Sequence, residues 1–367
     1  MQTRRRFHIR QAFYSSCLAA TTSLAGCGSE TTVEPEPIQL VCTIPTDDIF
    51  AGAAGRDAIP ALSDPEIARA TSAAFMRDSD RVLGVEINGE ARAYPFGILW
   101  WHEVINDTIG GQPVLITYCP LTGSGIAFNP TVQGATRNFG VSGLLYLSNL
   151  IMFDRESNSL WNQMGLGAQC GPDRGLDLSR LAITETDWIH WKNVHPNTTV
   201  ITPNTGFGNR PYFEYPYPGY DDINNNFVDF LPSGISWSDE LLTKDLVLGV
   251  FDGGAARAYP LRILSQAAVS TLVNDVVGSL PVLVTHQSQW NTAQAFDRRV
   301  NGKTLTFSLV SEGPLVFVDG ETGTEWNQRG EAVAGPLVGE RMERVTNSFV
   351  SFWFAWSLYF PNTSVAR

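Results

Sequence analysis

The chain has 367 residues, a formal net charge of −12, 43% hydrophobic residues and 11% aromatic residues. A chain this acidic lacks the basic stripe that phosphate contacts need, which excludes nucleic-acid binding as its role. Its apolar content is that of a well-packed globular protein, and its length predicts two domains beyond any leader.

Residues 1–26 read as an export signal. Arg4, Arg5, Arg6 and Arg10 make a basic start without an acidic residue, and Ala12 to Ala25 is mildly apolar. Leu24-Ala25-Gly26-Cys27 is a lipobox, in which the cysteine thiol takes a diacylglycerol. Thr3-Arg4-Arg5-Arg6-Phe7 is similar to a twin-arginine signal, a route that carries folded proteins. Two lipid attachments at Cys27 suffice for stable anchoring, and no stretch reaches membrane-spanning length. The predicted address is extracytoplasmic, with the chain tethered to the cell-envelope membrane. Residues 27–60 are expected to be a lipidated tether, because Gly28 to Ile38 is rich in Glu, Pro, Thr and Ser.

Residues 61–205 and 243–367 then read as two related copies. Val82-Leu83-Gly84-Val85-Glu86-Ile87-Asn88-Gly89-Glu90-Ala91-Arg92-Ala93-Tyr94-Pro95 returns as Val247 to Pro260. Pro113 to Thr117 returns as Pro281 to Thr285, Asp154 and Trp161-Asn162-Gln163 as Asp319 and Trp326-Asn327-Gln328, and Trp188, Trp191 and Pro196 as Trp353, Trp356 and Pro361. In the first copy, Val82–Ile87 and Ala91–Tyr94 predict a hairpin about an Asn-Gly turn. Phe96 to Ile105 has helical spacing. Pro113–Cys119, Gly125–Phe128, Arg137–Val141 and Leu150–Phe153 predict strands, and Thr186 to Val194 a helix stopped before Pro196. The expected architecture is α+β: two tandem, pseudo-symmetric copies of a curled antiparallel β-sheet unit with short helices. Residues 206–242, rich in Gly, Pro, Tyr, Asn and Asp, read as a long surface connection.

Residues kept in both copies point to shared scaffold. Arg92/Arg257, Asp154/Asp319, Trp161/Trp326 and Gln163/Gln328 are of this kind, with buried Asp–Arg or Trp–Gln contacts expected; a ligand site in each copy is the alternative. Residues found once point to function. The first copy carries His102, Cys119, Cys170, His190 and His195, whereas the second carries only His286. Gln287, Ala334, Ala355 and Phe360 stand where Cys119, Cys170, His190 and His195 would be.

Cys119 ends a predicted buried strand and precedes Pro120-Leu121-Thr122-Gly123-Ser124-Gly125. A thiol beside a glycine-bearing loop is a candidate catalytic nucleophile or soft-metal ligand, and either role needs a thiolate. A buried structural cysteine is the alternative. Ser124, His102, Asp154 and Arg155 are the candidate ligand-binding residues. Cys119, Cys170 and His195 are the candidate metal set, for which a soft transition metal is the fitting ion. For Cys119 and Cys170 a structural disulfide is the first reading, with a redox-active or metal-binding pair, or no contact, as the alternatives; Cys42 falls in the tether. Asp221 to Asn226 lacks the glycine and terminal glutamate of an EF-hand and reads as a solvated turn. No P-loop, dinucleotide fingerprint or G-x-S-x-G elbow is present.

Several of these motifs together resemble the family called domain of unknown function 3179. They are Thr117-Tyr118-Cys119-Pro120-Leu121, Phe139 to Leu145, Met152-Phe153-Asp154-Arg155 with Ser159 to Gln163, Trp188…Trp191…His195-Pro196, and Tyr212 to Tyr220. The resemblance runs from about Asp64 to Asn362. It implies no activity, and it makes Cys119 a characteristic position. The family commonly reads Cys-Pro-Leu-Cys here; this chain has Thr122 at the fourth position and so lacks the Cys-x-x-Cys pair.

Two functions follow as expectations. One is an anchored module that binds a small molecule or protein partner at the Cys119 loop or in a groove between the copies. The other is a thiol- or metal-dependent redox enzyme or metal carrier centred on Cys119.

Overall fold

Tight turns and close backbone approaches set the frame of this computed structural model, which describes residues 41–208 and 210–367. The strands Arg81–Ile87 and Glu90–Pro95 pair with Ile87 opposite Glu90, so only Asn88 and Gly89 lie in the loop. Both have positive φ, 51° and 80°, which is the backbone of a type I′ hairpin turn. The strands Leu246–Asp252 and Ala255–Pro260 repeat this geometry around Gly253 and Gly254. Gly84 and Gly249 answer a different need. A Cβ on Gly84 would meet the Trp191 ring at 2.3 Å, and one on Gly249 would meet Trp356 at 2.1 Å. Each indole lies flat on its strand, and no other residue leaves room for it.

After each hairpin comes one short helix, α1 (Phe96–His102) or α3 (Leu261–Ala267). A three-strand antiparallel meander follows each: Val104–Ile109, Gln112–Cys119 and Ser124–Asn129 in one stretch, and Ser270–Val277, Leu280–Gln287 and Thr292–Asp297 in the other. A second meander comes next, Phe139–Tyr146, Asn149–Asp154, Leu160–Asn162 and Gly167–Cys170, matched by Phe307–Glu312, Leu315–Asp319, Glu325–Asn327 and Ala332–Ala334. A strand and a helix close each stretch: Thr184–Asp187 with α2 (Trp188–Val194), and Ser348–Phe352 with α4 (Trp353–Tyr359). The fold is therefore a β-rich α+β assembly of several small sheets with four short helices among the described residues. No helix among these residues is long and apolar enough to cross a membrane.

Three boundaries depart from the expected ones. The first helix stops at His102 rather than Ile105, because Glu103 takes φ 55° and Val104-Ile105 joins the sheet opposite Thr117 and Ile116. The strand predicted to end at Val141 runs on to Tyr146 through a bulge at Val141–Leu144, where Gly143 has φ 78°. Thr186 and Asp187 are strand rather than helix, since their backbone pairs with Val82 and Arg81.

The tether boundary also moves. Residues 41–60 lie in the same compact unit as the rest of the described chain. Ile49–Ala51 pairs with the strand Phe139–Tyr146, and Cys42 is disulfide-bonded to Cys170. The segment 41–43 acts as an added edge strand: Thr43 N–H donates to Gln169 O and Gly171 N–H to Val41 O. The predicted signal at 1–26 and the lipidation residue Cys27 lie outside the described residues.

Shared residues do pack alike, though with partners other than those expected. Trp161 Nε1 donates to Asp154 Oδ2 at 2.8 Å and Trp326 Nε1 to Asp319 Oδ2 at 2.9 Å, while Arg92 and Arg257 pair with Asp107 and Asp275. The largest apolar cluster joins Cys119, Phe139 and Trp161 to Val247, Phe349 and Trp356, so one core spans the sequence from Val104 to beyond Trp356.

Candidate functional site

Cys119 is the last residue of its strand and is 1% exposed. Its Sγ donates to Ser148 O at 3.7 Å, and Thr122 N–H donates to Cys119 O, closing a turn through Pro120 and Leu121. Burial pushes the thiol up to about 11, with the nearby Glu103 carboxylate adding in the same direction and Thr122 opposing. A thiol held protonated is a weak nucleophile at neutral pH. Ionisation alone should slow maleimide labelling of native Cys119 by roughly 100-fold relative to an ordinary cysteine. Rapid labelling of the folded chain would contradict this placement.

The loop after Cys119 is braced by a fully buried polar network. Thr122 and Ser124 share a hydroxyl hydrogen bond, Ser124 Oγ donates to Gln163 Oε1, and Asn149 Nδ2 donates to Gln163 Oε1 at 2.8 Å. Gln163 Nε2 completes it by donating to Thr117 Oγ1 and Ser124 O. Ser124 thus orients the loop from within. Thr122, at the position where the resemblance places a second cysteine, belongs to the same network.

The connecting segment is more than a surface crossing. Among its described residues it has no helix or strand, yet its tyrosines lie over the Cys119 loop as a strap. Tyr215 OH donates to Pro120 O and Tyr220 OH to Leu121 O at 2.9 Å. His102 fastens the strap's start. Its Nδ1 lies 2.7 Å from Pro60 O, a carbonyl that can only accept, so Nδ1 carries the proton. Burial lowers His102 to about 4, so the ring is neutral and Nε2 accepts from Tyr212 OH at 2.6 Å. His102 thus clamps Tyr212 to Pro60. The turn at Asp222 is closed by Asn224 N–H donating to Asp222 Oδ1, in line with a solvated turn.

Two ionisable side chains at this site were not anticipated. Glu103 is 8% exposed, its backbone carbonyl accepts from Tyr118 N–H, and its carboxyl is raised to about 8 by burial. Lys244 is 2% exposed and its Nζ has no hydrogen-bond partner among the described residues. That amine sits 3.5 Å from the Tyr220 ring centroid and 4.6 Å from that of Phe354. Burial lowers it to about 7, against the opposing field of Asp221. The sequence repeat marks both: Glu103, opposite Tyr118, corresponds to Thr271 opposite His286, and Lys244 corresponds to Ser79.

The remaining candidates do not assemble around Cys119. Cys170 is bonded to Cys42, which corrects the expected Cys119–Cys170 disulfide. The cause is topological: Cys170 lies on an edge strand that segment 41–43 extends, in a different apolar cluster from Cys119. The metal set Cys119, Cys170 and His195 fails for the same reason, because a disulfide sulfur cannot ligate as a thiolate. Among the described residues no three His, Cys, Asp or Glu side chains are grouped to hold a metal ion. His195 packs on Trp191 and faces Glu86, and His190 stacks on Trp290. Asp154 is spent on Trp161 and Ser157, and Arg155 forms a two-pronged ion pair with Asp57 at 2.7 and 2.9 Å. Sulfur and imidazole groups are therefore dispersed, and the buried centre at Cys119 is made instead with a carboxyl, an amine and tyrosines.

The fold and site define a β-rich α+β protein with a buried thiol, carboxyl and amine under an aromatic strap. The chain belongs to the family described as "Protein of unknown function (DUF3179)", which matches residues 56–363. No curated protein and no solved structure matches it.

Proposed function

We propose that this chain is an envelope-anchored lipoprotein, a tandem duplication of one β-rich unit, that binds a small ligand at the Cys119 loop beneath the tyrosine strap. One observation carries the reading: the Lys244 amine is buried there without a hydrogen-bond partner among the described residues, and Glu103 is a mostly buried carboxyl near Cys119. Burying an ionisable group unpaired costs stability, so scaffolds seldom keep one, and such groups concentrate at functional sites. The equivalents Thr271 and Ser79 support the view that the unit folds without them. The lipobox at Cys27 supports the anchored address. The redox or metal reading is the weaker one, because Cys119 is held as a thiol and Cys170 is consumed in a disulfide.

The test is native mass spectrometry of the full chain purified from its own envelope. The wild type should carry a bound small molecule that is absent from Lys244→Met and Glu103→Gln. A bound mass retained by both variants, or no bound mass in any, overturns the reading. Cys27→Ala should move the protein from the membrane to the soluble fraction, and unchanged membrane retention would sink the anchor.

Stability against pH gives a second readout. A lysine lowered to about 7 binds fewer protons folded than unfolded between about 7 and the ordinary lysine range, so it makes stability rise with pH there. A glutamate raised to about 8 binds more protons folded, so its contribution is complete below the ordinary glutamate range and is lost by pH 8. Lys244→Met should raise stability at pH 6 and abolish the rise above pH 7. Glu103→Gln should flatten the fall between pH 5 and 8.

A further inference from the structure

A second polar feature lies away from the Cys119 loop. Glu86, His195, Gln294, Arg329, Arg341 and Arg344 line an open cleft. The free space is about 410 Å³, including its open mouth.

The cleft carries more positive than negative charge in an acidic chain. Its guanidinium groups are Arg329, Arg341 and Arg344. The carboxylates in contact with them are Glu86, 2.7 Å from Arg329 Nη2 and 3.2 Å from Arg341 Nη2, and Glu331, 3.2 Å from Arg329 Nη2. His195 Nδ1 stands 3.8 Å from Glu86, and burial lowers the imidazole to about 4, so it adds no charge at neutral pH. Arg344 spends Nη1 and Nη2 on Thr184 Oγ1 and Ile183 O. The Nε atoms of Arg329 and Arg344 are buried without a hydrogen-bond partner, as is the carboxamide oxygen of Gln294. Rotation of that amide would turn its NH₂ into the same space.

The sequence repeat shows that the scaffold does not require this chemistry. In register, Glu86 corresponds to Phe251, His195 to Phe360 and Arg329 to Met164. Those three belong to the apolar core, with Phe251 and Phe360 rings 5.0 Å apart and Phe360 stacked on Trp356 at 4.1 Å. At one place the fold closes with aromatic packing; at the other it keeps an open, arginine-rich cleft. Guanidinium forks match carboxylate and phosphate oxygens, and here they converge on a single shared carboxylate, Glu86.

We propose that the cleft bounded by Glu86, His195, Arg329, Arg341 and Arg344 binds a small oxyanion, either phosphate or the carboxylate of an organic acid. Arg341 and Arg329 are the pairing groups, and Glu86 is the internal anion that holds them until the ligand displaces it. The inference is independent of the Cys119 loop.

The test is calorimetric titration of the full chain with inorganic phosphate, and separately with succinate, at constant ionic strength set with chloride. One of the two should bind saturably. Arg341→Gln, at a side chain 47% exposed and outside the core, should weaken that binding about tenfold. Glu86→Gln should tighten it several-fold, because the competing carboxylate is gone. A merely structural ion-pair network would show the reverse for Glu86→Gln: lower stability and no gain in affinity. No saturable heat with either anion, or equal affinity in wild type and Arg341→Gln, overturns the proposal. Phosphate alone identifies a phosphate site, and succinate alone a carboxylate site.

Discussion

Loss of the Cys42–Cys170 bond should lower the unfolding free energy by about 4–5 kcal/mol. The bond joins residues 128 apart in sequence, so in the unfolded chain it closes a long loop and removes correspondingly more entropy. It also fixes segment 41–43 against the edge strand Gly167–Cys170, which would otherwise present unpaired backbone groups. Cys42→Ser, Cys170→Ser and the double variant should therefore lose the same stability, measured as the urea midpoint with and without reductant. Additive losses in the double variant, or an unchanged wild-type midpoint under reductant, would show that the pair is not bonded. Cys119→Ser should behave differently: as a single buried substitution it leaves the reductant sensitivity intact.

The second large effect concerns Asp154 and Asp319. Each is almost fully buried and accepts from an indole and from the turn that follows it. Asp154 accepts from Trp161 Nε1 and Ser157 N–H, and Asp319 from Trp326 Nε1 and Thr322 N–H. Truncation to alanine strands an indole N–H and a backbone N–H in the core, so each variant should lose about 3 kcal/mol. Equal losses at the two positions, with any bound molecule retained by Asp154→Ala, would place both in the scaffold. A loss confined to Asp154 together with loss of a bound molecule would return it to the candidate ligand set. Chemical denaturation of the paired variants, beside native mass spectrometry, separates these outcomes.

Much of the fold is legible in the sequence because it depends on neighbours in the chain. The Asn88-Gly89 and Gly253-Gly254 turns announce themselves, since few other residue pairs reach positive φ together. The strands through Cys119, Phe128 and Phe153 follow from short apolar runs. The helix starts before Trp188 and Trp353 follow less sharply, because the residues before them are claimed by pairing with Arg81 and Leu246. The helix end at His102 is less legible still: helical spacing continues to Ile105, and only sheet pairing across Thr117 overrides it.

The candidate site divides in the same way. Cys119 stands out because Gln287 takes its place where the surrounding sequence motif recurs. Its company could not be read so. Lys244 is 125 residues from Cys119 in sequence, and its place beside Tyr220 depends on how the strap crosses the loop. Asymmetry within the sequence repeat flags odd residues, but it does not say which of them meet. Cys170 and Cys119 share that asymmetry and sit in separate clusters, with Cys42 supplying the partner from a stretch that composition assigns to a tether.

The sequence by itself determined the turns, most strands, the recurrence of one motif set and the singularity of Cys119, because these depend on local backbone preference and direct comparison along the chain. Only the tertiary structure decided the sulfur pairing, the neutral His102 clamp, the buried Glu103 and Lys244, and the arginine cleft. Those rest on burial and on contacts between residues far apart in the chain, where the desolvation of a charge depends on everything packed around it.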